Sequence, residues 1–194
     1  MNNQVAIDIV LLPPVEVMDQ LIALNKQLRE NYPSELKLNK IDCLPHITLM
    51  QAVAENSQLD EIKDIVESLS RHQKQLEISG QIGLFSQNIV ALEINPTLAL
   101  WDLHERLMIN LEPFVSFDAS ADNFIGQEIS GNTLDYVRDF YSKYAYENFD
   151  PHITLGHGKV SENNSEIRFT ANRLAICHMG NRNTCAKILF ETQT

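Results

Sequence analysis

The chain has 194 residues, 44% of them hydrophobic, with three cysteines and a formal net charge of −11. That length suits one domain or two small lobes sharing a core, and the apolar content can fill such a core without disulfides or a structural metal. Fifteen Lys and Arg against 26 Asp and Glu exclude the broad basic surface that non-specific binding to long nucleic acid needs, so DNA is not an expected partner.

The opening MNNQVAIDIVLLPPVEV contains an apolar run, but no basic residue precedes it, no small-residue cleavage site follows, and it is too short to span a membrane. Val5, Ile7, Ile9 and Leu11 alternate at period two and the run stops at Pro13-Pro14, which predicts a first strand. Val17, Leu21, Leu24 and Leu28 recur at helical spacing up to the stretch around Pro33, and a strand through PHITL at His46 follows. Leu59, Ile62, Val66 and Leu69 predict a second helix, after which LEISGQIGLF and NIVALEI alternate as a strand pair joined near Ser86-Asn88.

Leu100, Leu103, Leu107 and Leu111 predict a third helix, and Leu134, Val137, Tyr141 and Tyr144 a fourth, leading into a second PHITL at His152. The chain then ends in the strands IRFTANRLAICHM and TCAKILFE around the turn-like GNRN. Residues 116–130 show no clear period and read as a surface loop or insertion. The expected architecture is a single bilobal α+β domain over 1–194, with halves near 1–95 and 96–194, one PHITL in each, and termini free to exchange between lobes. Cys43, Cys177 and Cys185 are odd in number and lack C-x-x-C spacing, so they are expected as unpaired core residues in a reducing compartment, by default the cytoplasm.

The repeat carries the chemistry. A residue before proline is held away from helical angles, so Leu44 and Asp150 should be extended and each pentapeptide should begin a strand. Residues two apart on a strand share a face, which sets His46 with Thr48 and His152 with Thr154, while Ile47, Leu49, Ile153 and Leu155 turn into the core. Two halves packed about a pseudo-twofold axis would bring both pairs to one point. In-line attack on phosphorus needs a base for the nucleophile and an acid for the leaving oxygen, and imidazole serves as either near neutral pH. The threonine hydroxyls can donate to the non-bridging oxygens.

These paired H-x-T-hydrophobic motifs, His46-Ile47-Thr48-Leu49 and His152-Ile153-Thr154-Leu155, one per half of an α+β chain, resemble those of the 2H phosphoesterase superfamily. That superfamily includes the bacterial 2′-5′ RNA ligase-like proteins and 2′,3′-cyclic phosphodiesterases. The segment ALEINPTLALWDLHERL is similar to the strand-then-helix segment between the family's motifs. The resemblance implies two antiparallel-rich sheets around a central cleft with helices outside, catalytic His46 and His152, and phosphate-binding Thr48 and Thr154. It further implies opening of cyclic or 2′-5′ phosphodiesters of nucleotides or short RNA by a monomer, without cofactor or metal. A longer spacing between the motifs, placed in residues 116–130, and the acidity of the chain point to small substrates over long RNA.

The remaining candidates have plainer readings. His104 lies beside the Leu103 stripe as a partly buried packing residue, and His72 and His178 have no partner pattern. His157 and Lys159 read as a solvated strand end and Arg182 as a turn-tip charge, each with phosphate contact as the alternative. Tyr141, Tyr144, Tyr146 and Phe149 either pack in the core or offer a stacking face to a nucleobase. Competing functions are a non-catalytic nucleotide-binding module, for which Arg or Lys would be favoured over imidazole, 2′-5′ ligation at the same site, and a metal hydrolase, for which the sequence has no ligand set.

Overall fold

Strand β1 (Gln4–Leu12) is buried on both faces from Val5 onward, and the rest of the molecule is arranged to cover it. Ile7, Ile9 and Leu11 point into the main core, whereas Ala6, Val10 and Leu12 enter two smaller apolar clusters on the reverse face. The computed structural model describes residues 3–73, 75–86, 88–159 and 166–192. After β1 come α1 (Val15–Asn31), β2 (Ile47–Glu55), α2 (Leu59–His72), β3 (Leu76–Ser86), β4 (Ile89–Ile94) and α3 (Leu98–Leu111). Then follow β5 (Val115–Ser116), α4 (Gly131–Asp139), β6 (His152–His157), β7 (Ile167–Ala171), β8 (Arg173–Gly180) and β9 (Thr184–Glu191). The order of elements is the one expected from periodicity, except that β5 is additional and IRFTANRLAICHM, expected as one strand, breaks at Asn172 into β7 and β8 of different sheets; Gln87, within the expected β3–β4 join, lies outside the described residues.

One sheet has the order β5-β2-β1-β8-β9 and the other β6-β4-β3-β7, and neighbouring strands in both run antiparallel. Each sheet draws strands from both halves of the sequence. The large core lies between them, where Ile47 and Leu49 of β2 meet Leu92 of β4, Ile153 and Leu155 of β6 and the Leu100-Leu103-Leu107-Leu111 stripe of α3. Among the described residues, no helix is long and apolar enough to cross a membrane.

One expectation is refined and one needs correction. Residues 116–130 run largely exposed along the surface, as expected, but they are pinned to the core at several points. Val115 and Ser116 pair with β2, Ala119 and Phe124 are buried against Ala6, Val53, Val137 and Met179, and Ile125 bridges Gly180. Their period is unreadable because a two-residue strand, a 3-10 turn at Ala121–Asn123 and irregular backbone follow one another too quickly for any repeat to develop. The cysteines are not all unpaired: Cys177 of β8 and Cys185 of β9 form a disulfide across neighbouring strands, with Cα atoms 5.3 Å apart, and Cys43 alone is free and buried. A tight hairpin, rather than a C-x-x-C turn, brings them together, so their spacing in sequence gave no sign of pairing, and the cysteine count no longer argues for a reducing compartment.

Both PHITL strands carry the same irregularity. Along β1–β2 the register passes from Ile9↔Met50 to Val10↔Thr48, so that Leu49 is skipped. Along β4–β6 it passes from Val90↔Gly156 to Ala91↔Thr154, so that Leu155 is skipped. A bulged residue leaves the ladder and its carbonyl needs another partner. The Leu155 carbonyl accepts from Asn25 Nδ2 of α1 at 2.8 Å, and the Leu49 carbonyl accepts from His104 Nδ1 of α3 at 2.7 Å. The helices are crossed: α1 follows β1 but secures the motif of β6, while α3 follows β4 but secures the motif of β2.

His104 is therefore more than a packing residue. It is fully buried, its Nε2 accepts the Tyr146 N–H at 2.9 Å, and its ring stacks on Phe149 at 4.1 Å. With one nitrogen donating and the other accepting it must be neutral, and burial, only partly opposed by the Leu49 carbonyl, lowers its pKa accordingly. Replacing His104 by Ala orphans a buried carbonyl and an N–H and opens a cavity, at about 1–3 kcal/mol for each unpaired group. His104→Ala is expected to lower the unfolding free energy by at least about 2 kcal/mol in urea titrations, and an unchanged midpoint would show that the clamp is not needed.

Candidate active site

The two motifs begin alike. In both, the carbonyl of the residue before proline turns back onto the histidine two positions on: His46 Nδ1 lies 2.7 Å from the Leu44 oxygen and His152 Nδ1 lies 2.8 Å from the Asp150 oxygen. A carbonyl only accepts, so each Nδ1 carries a hydrogen and Nε2 is the nitrogen left for proton exchange. This is the physical content of Pro-His in the repeat: proline holds the preceding residue extended, and its carbonyl fixes the imidazole's tautomer and tilt.

β2 and β6 meet where the two sheets approach, and both motifs line one cleft of about 780 Å³. His46, Thr48, His152 and Thr154 all face it, as the strand parity predicts. Also on its walls are Gln51, Phe85, Ile89, Tyr136 and Tyr144. The imidazoles are near enough that charge on His46 disfavours charge on His152. Phe85 stacks on the His152 ring with centroids 3.8 Å apart.

Past the shared opening the halves differ. Under the Thr48 end of the cleft lies Asp8 of β1, with no exposed surface. Its Oδ2 accepts from Thr48 Oγ1 at 3.0 Å and from Gln51 Nε2 at 2.8 Å, and lies 3.4 Å from His46 Nε2. The Leu49 bulge makes this possible, because it shifts the strand's parity so that Gln51 shares a face with Thr48. Counting back from the residue opposite each motif threonine, Asp8 corresponds to Ile89 in β4. The second motif thus has an apolar side chain where the first has a carboxylate.

The electrostatics follow from this. Burial works against charge on His46, but the contact with Asp8 and its negative charge, helped by the Leu44 carbonyl, outweigh it and raise the pKa above the ordinary imidazole value. On His152 burial prevails over the Asp150 carbonyl and the charges of Asp150 and Glu93, and charge on His46 adds to the lowering. Tyr136, stacked on Tyr144 at 4.2 Å, is kept protonated by burial and by the neighbouring Tyr144, Asp8 and Asp150.

The remaining sequence candidates divide. Arg182 and His157 do line the cleft, with Arg182 paired to Glu35, while Lys159 is exposed away from it. Tyr144 and Phe149 are on the walls; Tyr141 and Tyr146 are not. His72 caps the end of α2 through the Ser68 carbonyl, and His178 bonds the Asn123 carbonyl. Among the described residues no group of three or more His, Cys, Asp or Glu side chains is placed to hold a metal ion. Asp8, Gln51 and Phe85 escaped the sequence reading. Asp8 had a legible sign, as the sole ionisable residue in QVAIDIVLL, whereas Gln51 is revealed only by the bulge and Phe85 only by the meeting of the sheets.

Neither a family model nor a curated protein matches this chain. Solved structures do. E. coli LigT complexed with phosphate aligns over 99% of this chain and 98% of its own, at 12% identity and a TM-score of 0.58, and LigT complexed with NADP+ aligns with a TM-score of 0.57 at 13% identity over 98% of each chain. TT0787 of Thermus thermophilus aligns over 97% of both chains at 14% identity and a TM-score of 0.58. A further structure described as a phosphoesterase aligns over 97% of both chains at 15% identity and a TM-score of 0.52. The chain therefore shares its fold, over nearly its whole length, with E. coli LigT and with this phosphoesterase, which is the architecture that its paired motifs led us to expect.

Proposed function

We propose that this chain is a 2H phosphoesterase: a metal-independent phosphodiesterase that opens 2′,3′-cyclic phosphate or 2′-5′ phosphodiester bonds of nucleotides or short RNA. The observation that carries the reading is the convergence of both His-x-Thr pairs on one cleft, each imidazole with Nδ1 committed to a carbonyl and Nε2 left for proton exchange. That the similarly folded E. coli LigT forms complexes with phosphate and with NADP+ supports a phosphate-bearing or nucleotide ligand for this chain.

In this reading a phosphodiester sits between the two pairs. One Nε2 takes the proton of the attacking hydroxyl or water while the other gives a proton to the departing ribose oxygen. Thr154 Oγ1, which has no hydrogen-bond partner among the described residues, donates to a non-bridging oxygen. Thr48 already spends its proton on Asp8 and has to turn from it to reach the phosphate. The Tyr136 phenol, held neutral, adds a donor without adding charge. Run in reverse, the same proton transfers join two ends, so 2′-5′ ligation needs no second site. A pure phosphate-binding module is less well supported, because Arg182 and Lys143 on the cleft wall are already paired with Glu35 and Asp139.

Purified protein assayed on a panel of 2′,3′-cyclic nucleotides and 2′-5′ dinucleotides tests the proposal directly. His46→Ala and His152→Ala are each expected to reduce turnover by about a hundredfold or more, with the double variant losing far less than the product. Near wild-type rates in either single variant would rule out the two-histidine mechanism. Turnover should be bell-shaped in pH, since acid protonates both rings and leaves no base, while alkali strips both and leaves no acid. With the His46 pKa raised and the His152 pKa lowered, the plateau should be broader than two ordinary imidazoles would give, and a sharp optimum would contradict the assignment. Imidazole and hydroxyl groups supply every role, so excess EDTA should leave the rate unchanged; a loss restored by a divalent ion would point to a metal enzyme.

A further inference from the structure

The repeat makes the two histidines look interchangeable, yet their surroundings are not. His46 Nδ1 donates to the Leu44 carbonyl, so a neutral His46 would present the lone pair of Nε2 to the Asp8 carboxylate 3.4 Å away. Two electron-rich groups facing each other repel, and a proton on Nε2 turns that repulsion into attraction. Asp8 needs the proton as well. It is wholly buried, Thr48 and Gln51 both donate to Oδ2, and Oδ1 has no partner among the described residues, so its charge is poorly solvated without a cation nearby.

His152 has no such partner. The place equivalent to Asp8 is taken by Ile89, Phe85 covers one face of the ring, and the carboxylates whose charge acts on it are those of Asp150 and of Glu93, which is exposed on β4. A proton on His46 further discourages one on His152. Of the two ways to distribute a single proton over the pair, the surroundings favour His46 charged and His152 neutral.

We infer that Asp8 is a positioning residue that breaks the equivalence of the two motifs, holding His46 as the general acid and leaving His152 as the general base. The inference rests on the phosphodiesterase reading above and deepens it. In the forward step, Nε2 of His152 takes the proton of the attacking water, and the water oxygen forms its bond to phosphorus. The bond from phosphorus to the ribose oxygen breaks, and the electron pair left on that oxygen takes the proton from Nε2 of His46. The pair ends with His152 protonated and His46 neutral, and exchange with solvent resets it. The 3.4 Å contact is longer than the roughly 2.7–2.9 Å typical of a charge-assisted N–H···O bond, so Asp8 favours the proton without sequestering it from the leaving group.

The test is Asp8→Asn, which keeps the shape and removes the charge. Followed by NMR of the imidazole carbons without substrate, the titration midpoint of His46 should fall by about one unit or more while that of His152 stays nearly fixed. An unmoved His46 midpoint in folded Asp8→Asn overturns the inference. In the enzyme, the alkaline limb of the pH profile should move toward acid by the same amount, the loss appearing in kcat with KM little changed. A second measurement needs no Asp8 variant. On a nucleoside p-nitrophenyl phosphodiester, whose phenolate departs unprotonated, His46→Ala should recover to within about tenfold of wild type, while His152→Ala keeps its loss of about a hundredfold or more. Recovery of His152→Ala instead would reverse the roles and refute the inference. If no phosphodiester in the panel turns over, the functional reading fails, whereas the NMR titration still reads the coupling of Asp8 to His46.

Discussion

The site depends on two bulged leucines. A histidine and a threonine two residues apart would share a face on any strand, but the bulge after the threonine changes what lies beyond it, and the change has to be held. In β2 the carbonyl released at Leu49 is taken by His104, and in β6 the one released at Leu155 is taken by Asn25, each in a helix from the other half of the sequence. Asn25 is tied further: it also donates to the Leu36 carbonyl and accepts from the Leu38 N–H, which fixes part of the cleft wall to the same side chain. Cleft shape and motif geometry thus share one set of hydrogen bonds, all but the one to Leu36 buried where water cannot replace them.

On this common frame the halves have been given different chemistry. Identical pentapeptides and identical carbonyl contacts to Nδ1 would give two imidazoles of one affinity for protons, whereas the proposed two-histidine reaction needs one of each form. The neighbouring strand offers a carboxylate in β1 and an isoleucine in β4, and the carboxylate raises His46 while burial lowers His152. Apolar clusters flank Asp8 along β1, with Val10 and Leu12 to one side and Ala6 to the other, and these keep the carboxylate dry enough for its charge to be felt strongly.

The sequence made much of this legible, and the physics explains where legibility ended. Periodicity found the helices and strands because each has one face in the core, and Pro-His located the motifs because proline restricts what precedes it. Residues 116–130 resisted because their elements are shorter than any repeat, and the Cys177–Cys185 pair because a hairpin, not a spacing rule, joins them. Asp8 was visible as a lone charge in an apolar strand, but nothing local said which histidine it would meet. Gln51 was hidden further, since simple alternation from Thr48 places it on the wrong face, and only the bulge restores it.

The crossing of the helices bears on how the molecule comes into being. A chain interrupted near Asn95 would leave the first piece with β2 but without His104, and the second with β6 but without Asn25. Neither piece has the donor for its own bulge, and each carries the donor for the other's. The pieces would have to find one another before either bulge could have its donor, so the two motifs are expected to settle together.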